Sequence, residues 1–318
     1  MLMRLFIAGM FWIGMTVLGA GPVFAQDYPN RPIRLVTSAA GGGNDFISRL
    51  IAQGIAGPLG QNVIVENRPS NVTGELVAKA VPDGYTMLLA GGTFLIGPLL
   101  EKTAYDPVTD FSAITLVSTE PSVLVVHTSV AANSVKELIA LAKAKPGALN
   151  YASSGSGGTF HLAAELFKSM AGVNIVRVNY KGASAATNDL LGGQVQLAFI
   201  SASSIAPHIK SGKVRALGVT GLQPSAQAPD LPTIAASLPG YETIGITGIY
   251  APAKTPAAII NRLNREIVRF INQPDAKEKL LNAGQEIVGS SPNVLATTMK
   301  SEMAKWNKLI KDAGITAN

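Results

Sequence analysis

The chain has 318 residues, no cysteine and a formal net charge of +6. Without thiols it can form no disulfide, thiolate metal site, cysteine nucleophile or lipid-modified cysteine, so its stability rests on core burial. Its lysines and arginines are dispersed and form no nucleic-acid-type run, which leaves only a weak positive field favouring encounter with anionic solutes.

The first 25 residues read as a cleaved signal peptide. Arg4 precedes an apolar run over 5–18, small and turn-forming residues follow, and Val23-Phe24-Ala25 stands before Gln26. The run is too short to cross a bilayer, which takes ~20 residues, and small residues before the cut fit signal peptidase. Removal of 25 residues leaves 293 with a net charge of +5, since the leader holds Arg4 and no acid. That length favours two lobes over one core. No later stretch is long and apolar enough to span, so the mature protein is expected to be a soluble periplasmic one.

Strand-like and helix-like runs then alternate, the pattern of a mostly parallel α/β sheet. Ile33–Thr37 reads as a buried strand, followed by a helix over 45–55, a strand over 63–66, a helix over 75–80 and a strand at Thr86–Ala90. A long loop broken by Asp106 and Pro107 leads to a strand over 122–127. Ser134 and Glu137 form a capping box that opens a helix running to Ala144. Strands over 149–153, 175–180, 195–200 and 214–220 are separated by helices near 160–171, 183–191 and 203–210. A loop over 229–239 with a short helix precedes a strand over 244–250. Thr255 and Pro256 start a helix with Ile260, Leu263, Ile267, Phe270 and Ile271 at helical spacing. Ser291 and Pro292 begin the last helix, with Met299, Met303, Trp306 and Ile310 on one face. No linker composition and no internal repeat are present, so the lobes are expected to be joined by strands. One lobe is expected to hold 26–125 and 246–318, the other 126–245, with crossings near 123–127 and 244–250.

Two glycine-rich segments repeat one piece of physics. Ser38-Ala-Ala-Gly-Gly-Gly-Asn-Asp45 and Ser153-Ser-Gly-Ser-Gly-Gly-Thr159 each link a strand end to a helix start. Backbone N–H groups free of side-chain cover at a helix N-terminus favour an anion, and ligands of open α/β sheets sit at the carboxyl ends of strands. The hydroxyls of Ser38, Ser153, Ser154, Ser156 and Thr159 can add donors. Neither segment contains Lys or Arg, so dipoles and neutral donors would hold the anion. A single such loop reads rather as a tight turn whose glycines supply unusual dihedrals; two of them, in what read as different lobes, favour the expectation of a facing pair.

Catalytic patterns are weak. GxxxxGK[ST] is absent, Phe160 follows where the dinucleotide fingerprint wants Gly or Ala, and no GxSxG elbow occurs. The histidines His127, His161 and His208 are far apart. His161 and Glu165 share a helix face, and a structural hydrogen bond is the favoured reading of that pair over a metal or acid–base role. Asp45 reads either as the organiser of the first loop or as a charge on its helix dipole. No catalytic residue, metal site or cofactor is expected.

The chain resembles a known family at this point. Tyr28-Pro-x-Arg31-Pro-Ile-Arg-Leu-Val36 with Ala40-Gly-Gly-x-x-Asp45 is similar to the start of Bug-type (TctC-like) receptors, the periplasmic solute-binding proteins of tripartite tricarboxylate transporters. The similarity continues through Val65-Glu-Asn-Arg-Pro69, Val77-Ala-Lys-Ala-x-Pro-Asp-Gly-Tyr-Thr86, Tyr105-Asp-Pro-x-x-Asp-Phe111, Ser134-Val-Lys-Glu-Leu and Leu149-Asn-Tyr-Ala-Ser-Ser-Gly155. His161-Leu-Ala-Ala-Glu-Leu-Phe167, Tyr180-Lys-Gly182, Asp189-Leu-Leu-Gly-Gly-Gln-Val195, Leu231-Pro-Thr233 and Ala251-Pro-Ala-x-Thr-Pro256 complete it. It covers essentially the whole mature chain.

The resemblance implies a two-lobed α/β periplasmic-binding-protein fold of the Venus-flytrap, type II-like kind, with strand crossovers and both chain ends in the first lobe. It implies that a ligand carboxylate is held by main-chain donors of the two loops. Ala40, Gly41, Gly42, Asn44 and Asp45 fall in the first, and Ser153, Gly155, Gly157, Thr159 and His161 in the second. Ser201 and Ser203, after a strand end, line the cleft. The implied partners are a small carboxylate (di- or tricarboxylate, or aromatic) and the large and small membrane subunits of such a transporter, or else a membrane sensor. The protein is expected to act as a monomer without nucleic acid. A periplasmic enzyme using the same loops as an oxyanion site is the rival class. Four departures from the family pattern stand out. Thr37-Ser-Ala-Ala40 replaces a usual Pro-Phe-x-Ala or Pro-Phe-x-Pro, and a glycine-rich stretch after Pro69 is shortened to Ser70-Asn-Val-Thr73, which opens the cleft beside Gly92 and Thr93. Lys254 stands where Gly is usual, and Ala236-Ser237 replaces Glu-Gly.

Overall fold

The computed structural model describes residues 28–154, 157–180 and 182–316; the expected signal peptide lies outside them. A ten-stranded sheet runs in the order β2-β1-β3-β9-β4-β7-β5-β6, with β8 and β10 also paired to β4. One lobe is built on β1 (Ile33–Thr37), β2 (Val63–Asn67), β3 (Thr86–Ala90), β9 (Ile244–Pro252), β10 (Glu286–Ile287) and the first part of β4 (Phe111–His127). The other uses the second part of β4 with β5 (Asn150–Ser154), β6 (Val176–Tyr180), β7 (Leu197–Ser201) and β8 (Val214–Val219).

Helices fill the connections: α1 (Gly43–Leu59), α2 (Ser70–Ala78), α3 (Gly92–Leu100), α4 (Val135–Ala144), α5 (Thr159–Ala171), α6 (Ala183–Leu191) and α7 (Ala202–Lys210). The chain then returns to the first lobe for α8 (Ala257–Ile271), α9 (Pro274–Asn282) and α10 (Pro292–Ala313). Each sheet half is covered on both faces. In the first lobe Ile33 and Leu35 pack against Ile47 and Ile51 of α1 and Leu263 of α8, while Val36 points the other way, toward Phe94 and Met299. Burial on both faces is what parallel strands require. In the second lobe Leu124 and Val126 pack with Tyr151 and Phe167, and Val123 and Val125 with Leu190 and Ile205.

The sheet is less parallel than its sequence suggests. β1 pairs in parallel with β2 and β3, and β5 with β6 and β7. Every pairing made by β4 and β9 is antiparallel, because these strands carry the chain between lobes. β4 starts well before the expected residue 122. Its stretch Phe111–Pro121 pairs with Pro252–Ile244 of β9, and its stretch Ser122–Val126 with Ser201–Leu197 of β7. Beyond Pro121 the β9 partner runs out. There Ser122 N–H donates to Thr220 Oγ1 (2.8 Å), and Thr243 N–H to the Thr220 carbonyl (3.0 Å).

Three elements were not anticipated. α3 contains Gly97 and Pro98, both of which argue against a helix in sequence. α2 begins at Ser70, ahead of the expected 75. α9 and β10 lie in the stretch between Ile271 and Ser291, to which the sequence reading assigns no element. The last helix has the expected face: Met299 packs on the first-lobe core, whereas Trp306, Leu309 and Ile310 form a separate cluster with Ile96 of α3 and Leu162 of α5. That cluster joins the two lobes.

Candidate functional site

The first loop leaves β1 and enters α1 through Gly42, which caps the helix with no side-chain hydrogen bond. Gly41 lies at φ +82, in the left-handed region that glycine adopts without a Cβ penalty. Asp45 holds the turn together: Oδ2 accepts the Gly41 N–H (2.9 Å), and Oδ1 accepts Asn67 Nδ2 (2.9 Å). Asn67 Nδ2 also donates to the Ser38 carbonyl (2.7 Å). Arg49, one turn along α1, pairs with Asp45 Oδ1 (2.9 Å) and donates to Asn67 Oδ1 (3.0 Å). The Gly41 N–H above all, then Asn67 and Arg49, hold the Asp45 carboxyl down at about 2. Of the two readings of Asp45, these bonds make it the loop organiser. Its oxygens face protein donors, which makes it a support for the loop. Ala40 is exposed at the tip.

The β3–α3 turn stands next to this loop. Gly91 caps α3 without a side chain, and a methyl group on Gly91 would lie 3.7 Å from the Asn44 amide nitrogen. Asn44, Gly92 and Thr93 thus form one continuous surface of the first lobe.

The second loop follows β5. Ser153 is buried at the strand end; Gly155 and Ser156 lie outside the described residues. Gly157 lies at φ +73 and donates its N–H to His161 Nδ1 (3.0 Å). His161 is 4% exposed, and burial first, then Arg177, pushes its pKa down to about 4. With Nδ1 accepting, the neutral ring carries its proton on Nε2. Glu165 takes the Tyr151 hydroxyl and Lys168 instead, so the hydrogen bond expected of the His161–Glu165 pair gives way to one between His161 and its own loop. Gly158 caps α5 with no side-chain bond, as Gly42 and Gly91 do for their helices.

The lobes meet at this point. A methyl group on Gly92 would lie 3.4 Å from Thr159 Oγ1, and one on Gly157 only 2.1 Å from Leu100 Cδ1. Gly157, Thr93, Ser70, Asn71, Leu100 and Tyr105 border a cavity of ≈ 260 Å³, so the short segment after Pro69 forms one of its walls. Asn44, Gly92, Thr93, Gly157 and Thr159 are brought together, with Gly41, Asp45 and His161 as supports. Ser201 and Ser203 are placed differently. Ser201 Oγ bonds Ser204 Oγ (2.7 Å) and its backbone pairs with Ser122, while Ser203 Oγ lies 2.9 Å from a methyl group on Gly284, at the α9–β10 turn.

Sequence reasoning missed Asn67, Arg49, Leu100 and Tyr105. Asn67 sits inside a quoted motif and was within reach; Leu100 carries no local signal, because only the lobe–lobe contact gives it a role. Among the described residues no group of three or more His, Asp or Glu side chains is arranged to hold a metal ion, and no helix is long and apolar enough to cross a membrane.

Residues 47–315 match the model of the tripartite tricarboxylate transporter family receptor, TctC. The chain is 38% identical over 298 residues to the UPF0065 protein in the tcbD-tcbE intergenic region of Pseudomonas sp. strain P51, covering 92% of this chain and 89% of that protein. It is 32% identical to protein BugT of Bordetella pertussis, covering 95% and 96% respectively. Among solved structures, R. palustris Rpa4515 with adipate superposes with a TM-score of 0.75 at 35% identity, over 91% of this chain and 99% of that one. MatC from Rhodopseudomonas palustris with bound malate gives 0.72 at 27%, over 89% and 100%. With glycine-capped helices from two lobes facing each other and this breadth of match, the chain belongs to the TctC family of tripartite tricarboxylate transporter receptors, as a Bug-type solute-binding protein.

Proposed function

We propose that this receptor is exported to the periplasm, captures a small carboxylate between its lobes without altering it, and presents it to the large and small membrane subunits of a tripartite tricarboxylate-type transporter. The observation that carries this reading is the approach of Gly92, at the start of α3, to Thr159, at the start of α5. Two helix N-termini from different lobes converge there, and their unsatisfied N–H groups and dipoles suit a carboxylate. Asn44 and the Thr159 hydroxyl supply neutral donors. Neither loop carries Lys or Arg, and Arg49 beside the first loop is paired with Asp45, so the carboxylate would be held by oriented dipoles. The adipate and malate of the related structures named above support this ligand class.

The lobes hinge where β4 leaves β9, at Pro121–Ser122, and where the chain returns at Thr243–Ile244. Thr220 ties the two crossings side by side. Neither lobe alone offers both helix ends, so the ligand favours the closed form and shifts the population toward it.

A thermal-shift screen of purified protein against mono-, di- and tricarboxylates tests the reading. A ligand at a hundredfold excess over its Kd stabilises by about 2.7 kcal/mol, with one-to-one stoichiometry by calorimetry and the ligand recovered unchanged. Conversion of that ligand to a product by clean protein would replace the receptor with an enzyme.

A further inference from the structure

We infer that the receptor selects a carboxylate whose far end is bulky and uncharged, a ring or branched chain, over one whose far end carries a second carboxylate. The inference rests on the receptor reading above and extends it to one part of the cleft. The cavity of ≈ 260 Å³ begins at Thr93 and Gly157, beside the proposed carboxylate position, and ends at Glu101. It follows α3 along its length. At about 1.5 Å per residue, Gly92 and Glu101 are roughly 13 Å apart along the axis.

The two ends of that path differ in sign. The start of α3 carries partial positive charge, its last turn partial negative charge, and the Glu101 carboxylate adds a full one there. The wall between is neutral: Ile96 and Leu100 of α3, and the ring of Tyr105, whose hydroxyl proton is taken by the Phe94 carbonyl (3.0 Å). Ser70, Asn71 and Thr103 offer neutral hydrogen-bonding groups. A second carboxylate would exchange water for apolar side chains, a helix C-terminus and a like charge, each of which disfavours it. An uncharged tail loses nothing there and buries apolar surface. Size fits as well, since about 150 Å³ suffices for a benzene ring and this cavity is larger. Repulsion at one end of an otherwise permissive pocket is how a site rejects a near-isosteric competitor.

Calorimetric titration of the full mature chain with propanoate, 3-phenylpropanoate and 3-(4-carboxyphenyl)propanoate tests the inference. The phenyl acid should bind at least tenfold more tightly than either of the others. Glu101→Gln should narrow its advantage over the para-carboxy acid. Gly97→Leu, whose new side chain starts in ordinary van der Waals contact with the Tyr105 hydroxyl (3.8 Å), should narrow its advantage over propanoate. Asn71→Trp, at an exposed position, should do the same from the opposite wall and serves if the helix variant folds poorly. Equal or tighter binding of the para-carboxy acid, or undiminished ratios in both filling variants, would overturn the inference alone. If none of the three binds, and malate and adipate do not bind either, the receptor reading falls with it.

Discussion

Tyr105 donates its hydroxyl to the carbonyl of Phe94 at 3.0 Å, and the two rings stack with centroids 5.3 Å apart. Phe94 is the acceptor that Pro98, four residues on, has no N–H to satisfy. A side chain from beyond the helix thus replaces the missing backbone bond and makes a proline-containing α3 tenable beside the cleft. Tyr105→Phe keeps the stacking and removes only the donor. Leaving a buried carbonyl unpaired costs about 1–2 kcal/mol, and chemical denaturation of the variant should read a loss of that size with an unchanged m-value.

Gly157 has both a left-handed φ of +73 and Leu100 Cδ1 2.1 Å from any added Cβ. Gly157→Val therefore strains the loop backbone at its positive φ and displaces the Leu100 side chain packed against it. The lobes are built on separate cores, so the melting transition should persist while carboxylate affinity drops by about tenfold or more, the equivalent of ~1.4 kcal/mol. Titration calorimetry on the folded variant checks this, and wild-type affinity would mean that the loop is only a turn.

His161 gives the site a pH dependence. Burial keeps its folded pKa near 4, below the ordinary value of 6.5, so the unfolded chain binds the proton first as pH falls. The stabilisation is complete above pH 6.5 and is lost progressively as pH falls from 6.5 toward 4, with a slope of at most ~1.4 kcal/mol per pH unit. Protonated Nδ1 can no longer accept the Gly157 N–H, so carboxylate affinity should hold until pH falls through the folded value near 4 and weaken there. Stability should decline between pH 7 and pH 5 while binding by the folded protein stays nearly constant, and His161→Asn should flatten the pH dependence of stability between them. Asp45 acts only lower: its folded pKa near 2 lies below the ordinary 3.8, so its share is intact above 3.8 and is lost as pH falls through 2.

Lys254 sits at φ +69, the one non-glycine residue with positive φ among the described residues. A glycine fits that conformation without strain, so lysine holds this position at a cost. Lys254→Gly is expected to raise stability by about 0.5–1 kcal/mol, net of its greater unfolded-state entropy, with ligand affinity unchanged. A lower melting temperature would contradict it.

The alternation of strands and helices, the two glycine loops and the apolar face of α10 are legible in the sequence because each is a local pattern. Long-range compensation hides the rest. The first half of β4 reads as loop because polar residues interrupt it, yet Thr115 Oγ1 donates to the Ser290 carbonyl (2.8 Å) and Ser118 Oγ to Gln285 Oε1 (2.7 Å), partners more than 160 residues away. Pro98 reads as a break for want of Tyr105. The site shows the same division: Gly92, Gly157 and Thr159 announce themselves by residue type, whereas Leu100 matters only because the other lobe's glycine lies against it.

A crystal structure with the carboxylate that raises the melting temperature most tests capture between the lobes most directly. The bound carboxylate should lie within hydrogen-bonding distance of Thr159 Oγ1 and of backbone N–H groups at the start of α3, touching both lobes at once. A carboxylate seated on one lobe alone, or bound away from Gly92 and Thr159, would contradict it.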